Sequence, residues 1–374
     1  MSNFAFGTYR ISDANQQHIQ ALKDAINSGL RVIDTSSNYM DGASERAIGL
    51  ALRELSKDRK DIEIISKYKV SQNLSKRLEL SMQRMGLDYI DCYMVENIEE
   101  ILVDALNSSM SKDERLDMLY DKIYDAFLEL EIAVKEKKIL SYGISSDSFA
   151  QKSSSEYFLP YEDLISIADR ASEEAGNDTY NLSTIELPIN ILEIDGLKCA
   201  SWAKNNSLRV LSNRPLNAQY NSKMYRLAEY SEPFDYYHNL NELLEICDND
   251  ELKILYNLIQ ELDASKHKFG WIGDYDSFFY TQIIPHIKNV LISFDEKEKE
   301  SMFIYIDSFF TEYRKMVLFE CFKRTKDELK GFFQDSKLSM QEYSIKFLLD
   351  AQVIDFIVVG MRKSSYVHEI LALN

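Results

Sequence analysis

The sequence predicts an α/β fold: a closed (β/α)8 barrel, the TIM-barrel architecture, with a large helical insertion after the seventh strand. Three observations lead to this prediction. Eight short segments are apolar throughout, which is typical of parallel strands buried on both faces. Helix-like segments alternate with these strands along most of the chain. The alternation is interrupted over one long stretch, residues 220–336.

The predicted strands are short apolar runs separated by polar or glycine-containing stretches. They are Phe4–Thr8, Arg31–Thr35, Ile62–Lys67, Tyr89–Val95, Ser141–Ser145, Thr184–Leu187, Leu208–Leu211 and Phe356–Gly360. The helix-like segments are Gln17–Ser28, Ser44–Leu55, Leu74–Met85, Leu116–Lys137, Tyr161–Glu174, Gly196–Asn205, Ser339–Asp350 and Ser364–Leu373. Eight strands in this alternation favour a closed barrel over an open sheet. No GxGxxG motif follows the first strand, which also argues against a Rossmann domain.

Residues 220–336 are predicted to form the insertion, so that residues 1–219 and 337–374 form the barrel. The insertion contains no convincing strand, and its helical segments are predicted at Leu240–Cys247, Leu252–Leu262, Asp295–Thr311 and Tyr313–Gln334. Without it, the remaining chain is close to the roughly 250 residues that are typical of such a barrel. Because the insertion follows the seventh strand, we expect it at the C-terminal face, where barrel active sites lie. The polar stretch Asn97–Ser111 is predicted to be a loop.

The bulk properties of the chain limit its partners. The net charge of −18 argues against nucleic acid or an anionic membrane surface as a partner. No signal-peptide pattern and no apolar run of membrane-spanning length is present, so we expect a cytoplasmic protein. The four cysteines are widely spaced and are predicted to be free thiols in a reducing compartment. The five histidines have no metal-binding spacing, so we expect no metal.

Three polar residues are predicted to meet at the mouth of the barrel. Asp34 ends the second strand, Tyr39 follows on the loop, and Lys67 ends the third strand. A tyrosine with a pKa of about 10 is a poor acid at neutral pH, and a neighbouring ammonium group lowers that pKa. An aspartate paired with the buried lysine keeps it charged and oriented. We therefore expect Tyr39 and Lys67 within hydrogen-bond distance, forming a general acid for a carbonyl oxygen.

Several motifs occur in a fixed order along the chain: DTSSNY with GASE, then SK, MGLDYIDCYMVEN, GISS and the C-terminal VVGMRKSSYV. This ordered set resembles the aldo-keto reductase superfamily over nearly the whole chain outside the insertion. The resemblance implies an NAD(P)H-dependent oxidoreductase that transfers hydride between nicotinamide and a carbonyl, imine or activated C=C substrate. It also implies that Asp34, Tyr39 and Lys67 are the catalytic Asp, Tyr and Lys.

Two positions depart from the pattern of that superfamily. Its usual His at the end of the fourth strand is Glu96 here, within MVEN. If protonated, Glu96 would donate a hydrogen bond to the substrate, and steroid double-bond reductases of the superfamily carry Glu at this position. If ionised, Glu96 would pair with Lys67 and oppose formation of the Tyr39 phenolate. The usual Gln that holds the nicotinamide carboxamide is Glu186 here, and a carboxylate accepts from the carboxamide but cannot donate to it.

The cofactor that the resemblance implies is NADP(H). The positions that it assigns to cofactor binding are Ser145, Ser146, Glu186, Arg214, Pro215, Leu216, Arg362 and Lys363. Arg362 and Lys363 match the region that binds the adenosine 2′-phosphate in NADP-preferring members, and cationic side chains suit a phosphate. NADPH is therefore expected to bind in preference to NADH.

A second interpretation belongs to another class of protein: a catalytically altered or inactive barrel that serves as a binding or assembly partner. The acidic replacements Glu96 and Glu186 favour it, whereas the intact set of Asp34, Tyr39 and Lys67 favours an enzyme with a small-molecule substrate. The helical insertion is the candidate surface for a protein partner.

Overall fold

The computed structural model describes almost the entire chain, namely residues 3–55, 57–106, 110–333 and 337–373. The chain forms two compact units: Met1–Pro215 together with Ile345–Asn374, and Leu216–Ser344. The predicted domain boundaries, at 220 and 336, stay a prediction, and residue 336 lies outside the described residues.

The first unit contains a closed barrel of eight parallel strands, as predicted. The strands of the chain are β1 Phe4–Gly7, β2 Val32–Asp34, β3 Glu63–Lys69, β4 Ile90–Glu96, β5 Ile139–Ser145, β6 Leu182–Pro188, β7 Arg209–Asn213, β8 Asn217–Tyr220, β9 Lys223–Arg226 and β10 Phe356–Gly360. Around the barrel the order is β1-β10-β7-β6-β5-β4-β3-β2. All eight predicted barrel strands are confirmed, with small shifts at their ends.

Helices follow most of the barrel strands, and further helices make up much of the second unit. They are α1 Gln16–Asn27, α2 Ala43–Glu54, α3 Leu74–Met85, α4 Glu99–Leu106, α5 Lys112–Lys135, α6 Leu164–Ala175, α7 Gly196–Asn205, α8 Tyr236–Ile246, α9 Lys253–Ser265, α10 Ile272–Phe278, α11 Ile284–Val290, α12 Glu296–Glu328, α13 Met340–Asp350 and α14 Ser364–Leu371. Among the described residues, none of these helices has the length and apolar character needed to cross a bilayer. All four cysteines are free and buried, as predicted.

Two local predictions about secondary structure are wrong. The stretch Asn97–Ser111, predicted as a loop, contains α4, because Leu102 and Ala105 supply a buried apolar face; residues 107–109 lie outside the described part of the chain. The predicted insertion also contains a strand, because β9 pairs with β8 as an antiparallel hairpin. Its turn at Asn221 and Ser222 has positive φ at both residues, the backbone of a tight hairpin that is usually signalled by Asn-Gly.

A third correction concerns the longest helix. The segments Asp295–Thr311 and Tyr313–Gln334 were predicted as two helices, but α12 runs through both without a break, and Gln334 lies outside the described residues. Glu312, which lies between the two predicted segments, is buried inside this helix and bonded to Lys315 one turn further on. A buried, paired carboxylate continues the helix instead of ending it.

The second unit has a hydrophobic core of its own. Aromatic side chains of α8, α10 and α12 pack together at its centre, among them Tyr236, Tyr275, Phe309 and Tyr313, and each of these four is almost fully buried. Burial of apolar and aromatic side chains in such a core is the main source of stability in a small unit. The aromatic-rich segment 269–280 contributes to this core, so part of it serves packing.

The barrel interior and the register of its strands determine which side chains meet at the mouth. Small and aliphatic side chains fill the centre, including Ala5, Val32, Ile65, Cys92, Met94, Leu211 and Val358. At the carboxyl ends, Glu96 of β4 is in register with Ser145 of β5, which in turn is in register with Glu186 of β6. Gly7 of β1 lies between Gly360 of β10 and Asp34 of β2. Polar groups from neighbouring strands therefore converge on one end of the barrel.

Candidate active site

Lys67 lies at the centre of the candidate site. Its side chain is fully buried, and Nζ donates to Asp34 Oδ1 and to the carbonyl oxygen of Thr35, the latter at 3.3 Å. Nζ also lies 3.1 Å from Glu186 Oε2, which comes from the opposite side of the barrel. This second contact is an ion pair without hydrogen-bond geometry, because Oε2 has no hydrogen-bond partner among the described residues. One ammonium group is thus shared by two carboxylates.

Tyr39 lies beside this ion pair and is half-buried. Lys67 Nζ is 5.6 Å from the centre of the Tyr39 ring, so the ammonium group faces the ring, and the predicted hydrogen bond to the hydroxyl is not formed. Tyr9, which follows β1, packs edge-on against Tyr39 with 5.2 Å between ring centres. The structure therefore brings Asp34, Tyr39 and Lys67 together, with the contact between Tyr39 and Lys67 electrostatic.

Burial and charge determine how the three groups hold their protons. Burial raises the pKa of Tyr39 well above its ordinary value; Asp34, Glu186 and Glu96 raise it further, and Lys67 only partly opposes them. The prediction that Lys67 lowers the pKa of Tyr39 below its ordinary value is therefore wrong, although Lys67 does limit the rise. Burial also raises the pKa of Asp34, and the charge of Glu186 is the second largest cause of this rise. Burial would lower the pKa of Lys67, but the carboxylates, Asp34 and Glu186 foremost, outweigh it and hold that pKa well above its usual range.

Glu96 is buried at the end of β4 and is held by the loop that carries Tyr39. Its Oε1 accepts hydrogen bonds from Ser36 Oγ at 2.6 Å and from Asn38 Nδ2 at 3.1 Å. It makes no ion pair with Lys67, which was one of the two arrangements considered from the sequence. Ser36 and Asn38 were not singled out from the sequence, although both belong to the DTSSNY motif. Their role depends on a contact across about sixty residues of chain, which no local pattern shows.

The backbone is strained next to several of these side chains. Met40 and Asp41, which follow Tyr39, have φ of 50° and 52°, and Asn97, which follows Glu96, has φ of 59°. Arg214, which follows β7, has φ of 50°. Left-handed backbone at residues other than glycine costs about 1–3 kcal/mol each and is found most often at functional sites. Its concentration after β2, β4 and β7 agrees with a functional site at this end of the barrel.

The residues assigned to the nicotinamide lie on adjacent strand ends. Ser145 is buried between Glu96 and Glu186 in the barrel register. Ser146 donates from its backbone N–H to the Glu186 carbonyl oxygen at 3.0 Å and from Oγ to Glu99 Oε2 at 2.8 Å. Glu186 Oε1 accepts from Asn213 Nδ2 at 2.9 Å. The sequence assigns Glu186 to the nicotinamide carboxamide; in the structure its carboxylate also contacts Lys67 and accepts a hydrogen bond from Asn213.

Arg214 is held by two carboxylates. Its Nη1 lies 3.2 Å from Asp147 Oδ2, and its Nη2 lies 2.7 Å from Glu193 Oε1. The guanidinium charge that the sequence suggested for a cofactor phosphate is thus neutralised within the protein. Pro215 is buried and ends this segment of the first unit, whereas Leu216 begins the second unit.

Arg362 and Lys363 connect β10 to α14, at the same end of the barrel as Asp34. Arg362 is half-buried and Lys363 is exposed. Lys363 occupies the N-cap position of α14, and its side chain makes no capping hydrogen bond. An uncapped helix N-terminus with two flanking cations is a site that suits an anion such as a phosphate.

The fold and the polar cluster at the barrel mouth define a class of barrel protein with a buried Asp–Lys pair beside a tyrosine. The family model "Aldo/keto reductase family" matches residues 3–374. The chain belongs to the aldo/keto reductase family.

Similar proteins include reductases of two bacteria. The chain is 26% identical over 147 residues to glyoxal reductase of Bacillus subtilis, covering 38% of this chain and 45% of that protein. It is 33% identical over 93 residues to a methylglyoxal reductase of Escherichia coli, covering 23% of this chain and 32% of that protein. The matched stretches therefore span less than half of the length of these relatives.

Solved structures similar to this chain include those of two further bacterial proteins. One is an aldo-keto reductase of Bacillus halodurans in its holo form, with 14% identity, a TM-score of 0.49 and coverage of 100% of this chain and 86% of that chain. The other is an aldo/keto reductase of Klebsiella pneumoniae in complex with NADP and acetate, with 15% identity, a TM-score of 0.47 and the same coverage of both chains.

Proposed function

We propose that this protein is an NADP(H)-dependent oxidoreductase that transfers hydride between nicotinamide and a small molecule with a carbonyl, imine or activated C=C group. The observation that carries the proposal is the buried pair of Lys67 and Asp34, next to Tyr39 at the barrel mouth. Such a pair places a positive charge beside a phenol that faces the position where a substrate would lie.

The residues at the mouth fit the cofactor at both of its ends. Glu186 is buried beside Ser145, and its Oε1, which accepts from Asn213 Nδ2, could accept a second hydrogen bond from the carboxamide NH₂. Arg362 and Lys363, with the uncapped start of α14, would hold the 2′-phosphate. When bound, the reduced nicotinamide would supply hydride.

Each side chain of the cluster has a separate role in this proposal. Tyr39 keeps its proton at neutral pH, because burial and the surrounding carboxylates raise its pKa, and it is the proton donor. Lys67 places a positive charge beside the Tyr39 ring, where it favours the phenolate electrostatically, and Asp34 fixes the position of Lys67. Glu96, held by Ser36 and Asn38, lines the mouth as a second polar group.

Two measurements test the proposal. Titration with NADPH, followed by nicotinamide fluorescence, should show saturable binding, and purified protein should reduce methylglyoxal with NADPH. Tyr39→Phe should lower the rate of this carbonyl reduction by about 10²–10⁴-fold, the usual contribution of a general acid. Tyr89→Phe is the matched control, because Tyr89 precedes β4 at the other end of the barrel. Folded protein that binds neither NADPH nor NADH would instead support the inactive barrel that serves as a binding partner.

A further inference from the structure

The ionisable groups around Lys67 do not balance in charge. Three buried carboxyl groups, those of Asp34, Glu96 and Glu186, surround a single ammonium group. All three carboxylates act on Lys67 and on the Tyr39 phenol electrostatically, so they belong to one cluster. If every group is ionised, the cluster lacks two positive charges. The adjacent Arg214 cannot supply one, because Asp147 and Glu193 already engage it.

Glu186 provides a second and independent indication of a missing partner. Its residue is 2% exposed, yet Oε2 has no hydrogen-bond partner among the described residues. Among the described residues, the positive group in contact with Oε2 is the Lys67 ammonium, which is bonded more closely to Asp34. A buried carboxylate oxygen without a hydrogen bond is costly, so such an atom in a binding site indicates a ligand that completes it.

An aromatic surface lies next to this acidic cluster. Tyr9 is 65% exposed and packs at a right angle against Tyr39, so much of its ring is accessible next to Tyr39. Cations bind favourably over the faces of such rings. The excess of carboxylates, the Glu186 Oε2 atom without a hydrogen bond and the exposed aromatic ring of Tyr9 all favour a ligand with a positive charge.

We infer that, if the oxidoreductase function proposed above holds, this site selects a cationic substrate, an iminium ion or protonated imine, over a neutral ketone or aldehyde. The carboxylates of Glu96 and Glu186 supply the negative field, and Tyr9 supplies a ring for the flat cation. The preference is a property of this chain, because Glu96 and Glu186 are the two positions where it departs from the pattern described above.

The chemistry of an iminium ion suits this cluster. Hydride from the reduced nicotinamide forms a C–H bond at the iminium carbon, and the π pair of the C=N bond moves to nitrogen. The product is a neutral amine, the nicotinamide becomes the oxidised cation, and no proton is consumed. Reduction of a ketone instead builds negative charge on oxygen, which the neighbouring carboxylates oppose. It also needs a proton from Tyr39, whose raised pKa makes it a weak donor.

The first test compares two probes of similar shape and size, the N-methyl-dihydroisoquinolinium cation and the neutral ketone α-tetralone. Calorimetric titration of the whole protein without cofactor should show that the cation binds at least about tenfold more tightly, as expected for a charge within a few ångströms of carboxylates that outnumber the single ammonium group. Equal affinity for the two probes, or tighter binding of α-tetralone, would overturn the inference.

Matched variants locate the effect. Glu96→Gln and Glu186→Gln should each reduce the preference for the cation several-fold while leaving the affinity for α-tetralone nearly unchanged. Glu63→Gln removes the same charge at the start of β3, the opposite end of the barrel, and should leave the preference intact. A preference that survives both site variants, or one that Glu63→Gln reduces equally, would show that the overall negative charge of the protein is responsible.

A kinetic comparison separates this inference from the proposed function. With NADPH, Tyr39→Phe should slow methylglyoxal reduction strongly but slow reduction of the iminium probe less than tenfold. Equal losses for both substrates would contradict the cationic-substrate inference and leave the oxidoreductase function in place. Absence of NADPH binding would refute the oxidoreductase function, whereas the calorimetric comparison of the two probes would still stand by itself.

Discussion

Glu186 changes the electrostatics of the site at the scale of single residues. A Gln at this position would leave Asp34 as the carboxylate in contact with Lys67, whereas Glu186 Oε2 approaches Nζ to 3.1 Å. The added charge stabilises the ammonium form of Lys67 and raises the pKa of both Asp34 and Tyr39. A single substitution thus strengthens the lysine charge and weakens the tyrosine as an acid.

Glu186→Gln should therefore shift the pH dependence of alcohol oxidation. In that direction the deprotonated phenol of Tyr39 is the base, so the rate rises with pH until the pKa of Tyr39 is passed. Removal of one charge that raises this pKa moves the rise to lower pH, and the rate at neutral pH should increase several-fold. The check is a pH–rate profile with NADP⁺ and an alcohol, with Glu63→Gln as the control. An unchanged profile would show that Glu186 does not influence Tyr39.

Replacement of Glu96 should lower the stability of the protein, because its carboxylate accepts hydrogen bonds from two side chains. In Glu96→Ala, Ser36 Oγ and Asn38 Nδ2 lose their acceptor, which should lower the free energy of unfolding by about 1–3 kcal/mol. Glu96→Gln keeps an acceptor oxygen and should retain more native activity than Glu96→Ala. Glu96→His should raise the activity on simple carbonyls. Denaturant unfolding and steady-state kinetics test all three variants. Equal impairment of the Glu96→Gln and Glu96→Ala variants, with no gain of activity in Glu96→His, would show that Glu96 is not a polar group of the active site.

At the scale of elements, the start of α14 is the part of the barrel best suited to an anion. The helix begins directly after Lys363, the capping side chain makes no hydrogen bond, and Arg362 lies beside it. Arg214, the other basic site predicted from the sequence, is held by the acidic residues Asp147 and Glu193.

Arg362→Ala should weaken NADPH binding more than NADH binding. Loss of a charged hydrogen bond to the 2′-phosphate corresponds to about 1.5–3 kcal/mol, roughly ten- to hundredfold in affinity, and NADH lacks this phosphate. Fluorescence titration with both cofactors measures the difference. Arg214→Ala is the matched control and should affect the two cofactors equally. Equal losses for both cofactors in Arg362→Ala would show that this residue does not bind the 2′-phosphate.

At the scale of the whole molecule, each of the two units has a hydrophobic core among its described residues. Aliphatic residues of the parallel strands fill the barrel, and aromatic residues of α8, α10 and α12 fill the unit Leu216–Ser344. Each core is formed by residues of its own unit. We propose that the second unit unfolds without loss of the barrel.

Phe309→Ala tests this independence. Phe309 is fully buried against Tyr236 and Tyr313, so the cavity left by its removal should lower the stability of the second unit by about 3–5 kcal/mol. Hydrogen exchange should show lost protection in α8 and α12, with β3 and β4 unchanged and NADPH affinity preserved. Phe303→Ala, on the exposed side of the same helix, should change stability by less than about 0.5 kcal/mol. Loss of protection in the barrel would contradict the proposal.

Local patterns in the sequence determined the barrel and the positions of the reactive groups. The barrel strands are short and apolar, and most of them are followed by a helix. Because the carboxyl ends of parallel strands meet at one edge, the sequence places Asp34 and Lys67 together. The β8–β9 hairpin, α4 and the unbroken α12 were missed, because their turn and boundary signals are weak or depend on burial.

Only the tertiary structure decided which partners these groups have. Glu186 faces Lys67 across the barrel, Ser36 and Asn38 hold Glu96, and Asp147 and Glu193 hold Arg214, with no more than a few ångströms separating each pair. The sign of the Tyr39 pKa shift followed from the same contacts. The physical reason is that charge and hydrogen-bond energies depend on distances between residues far apart in the chain, which periodicity and spacing do not encode.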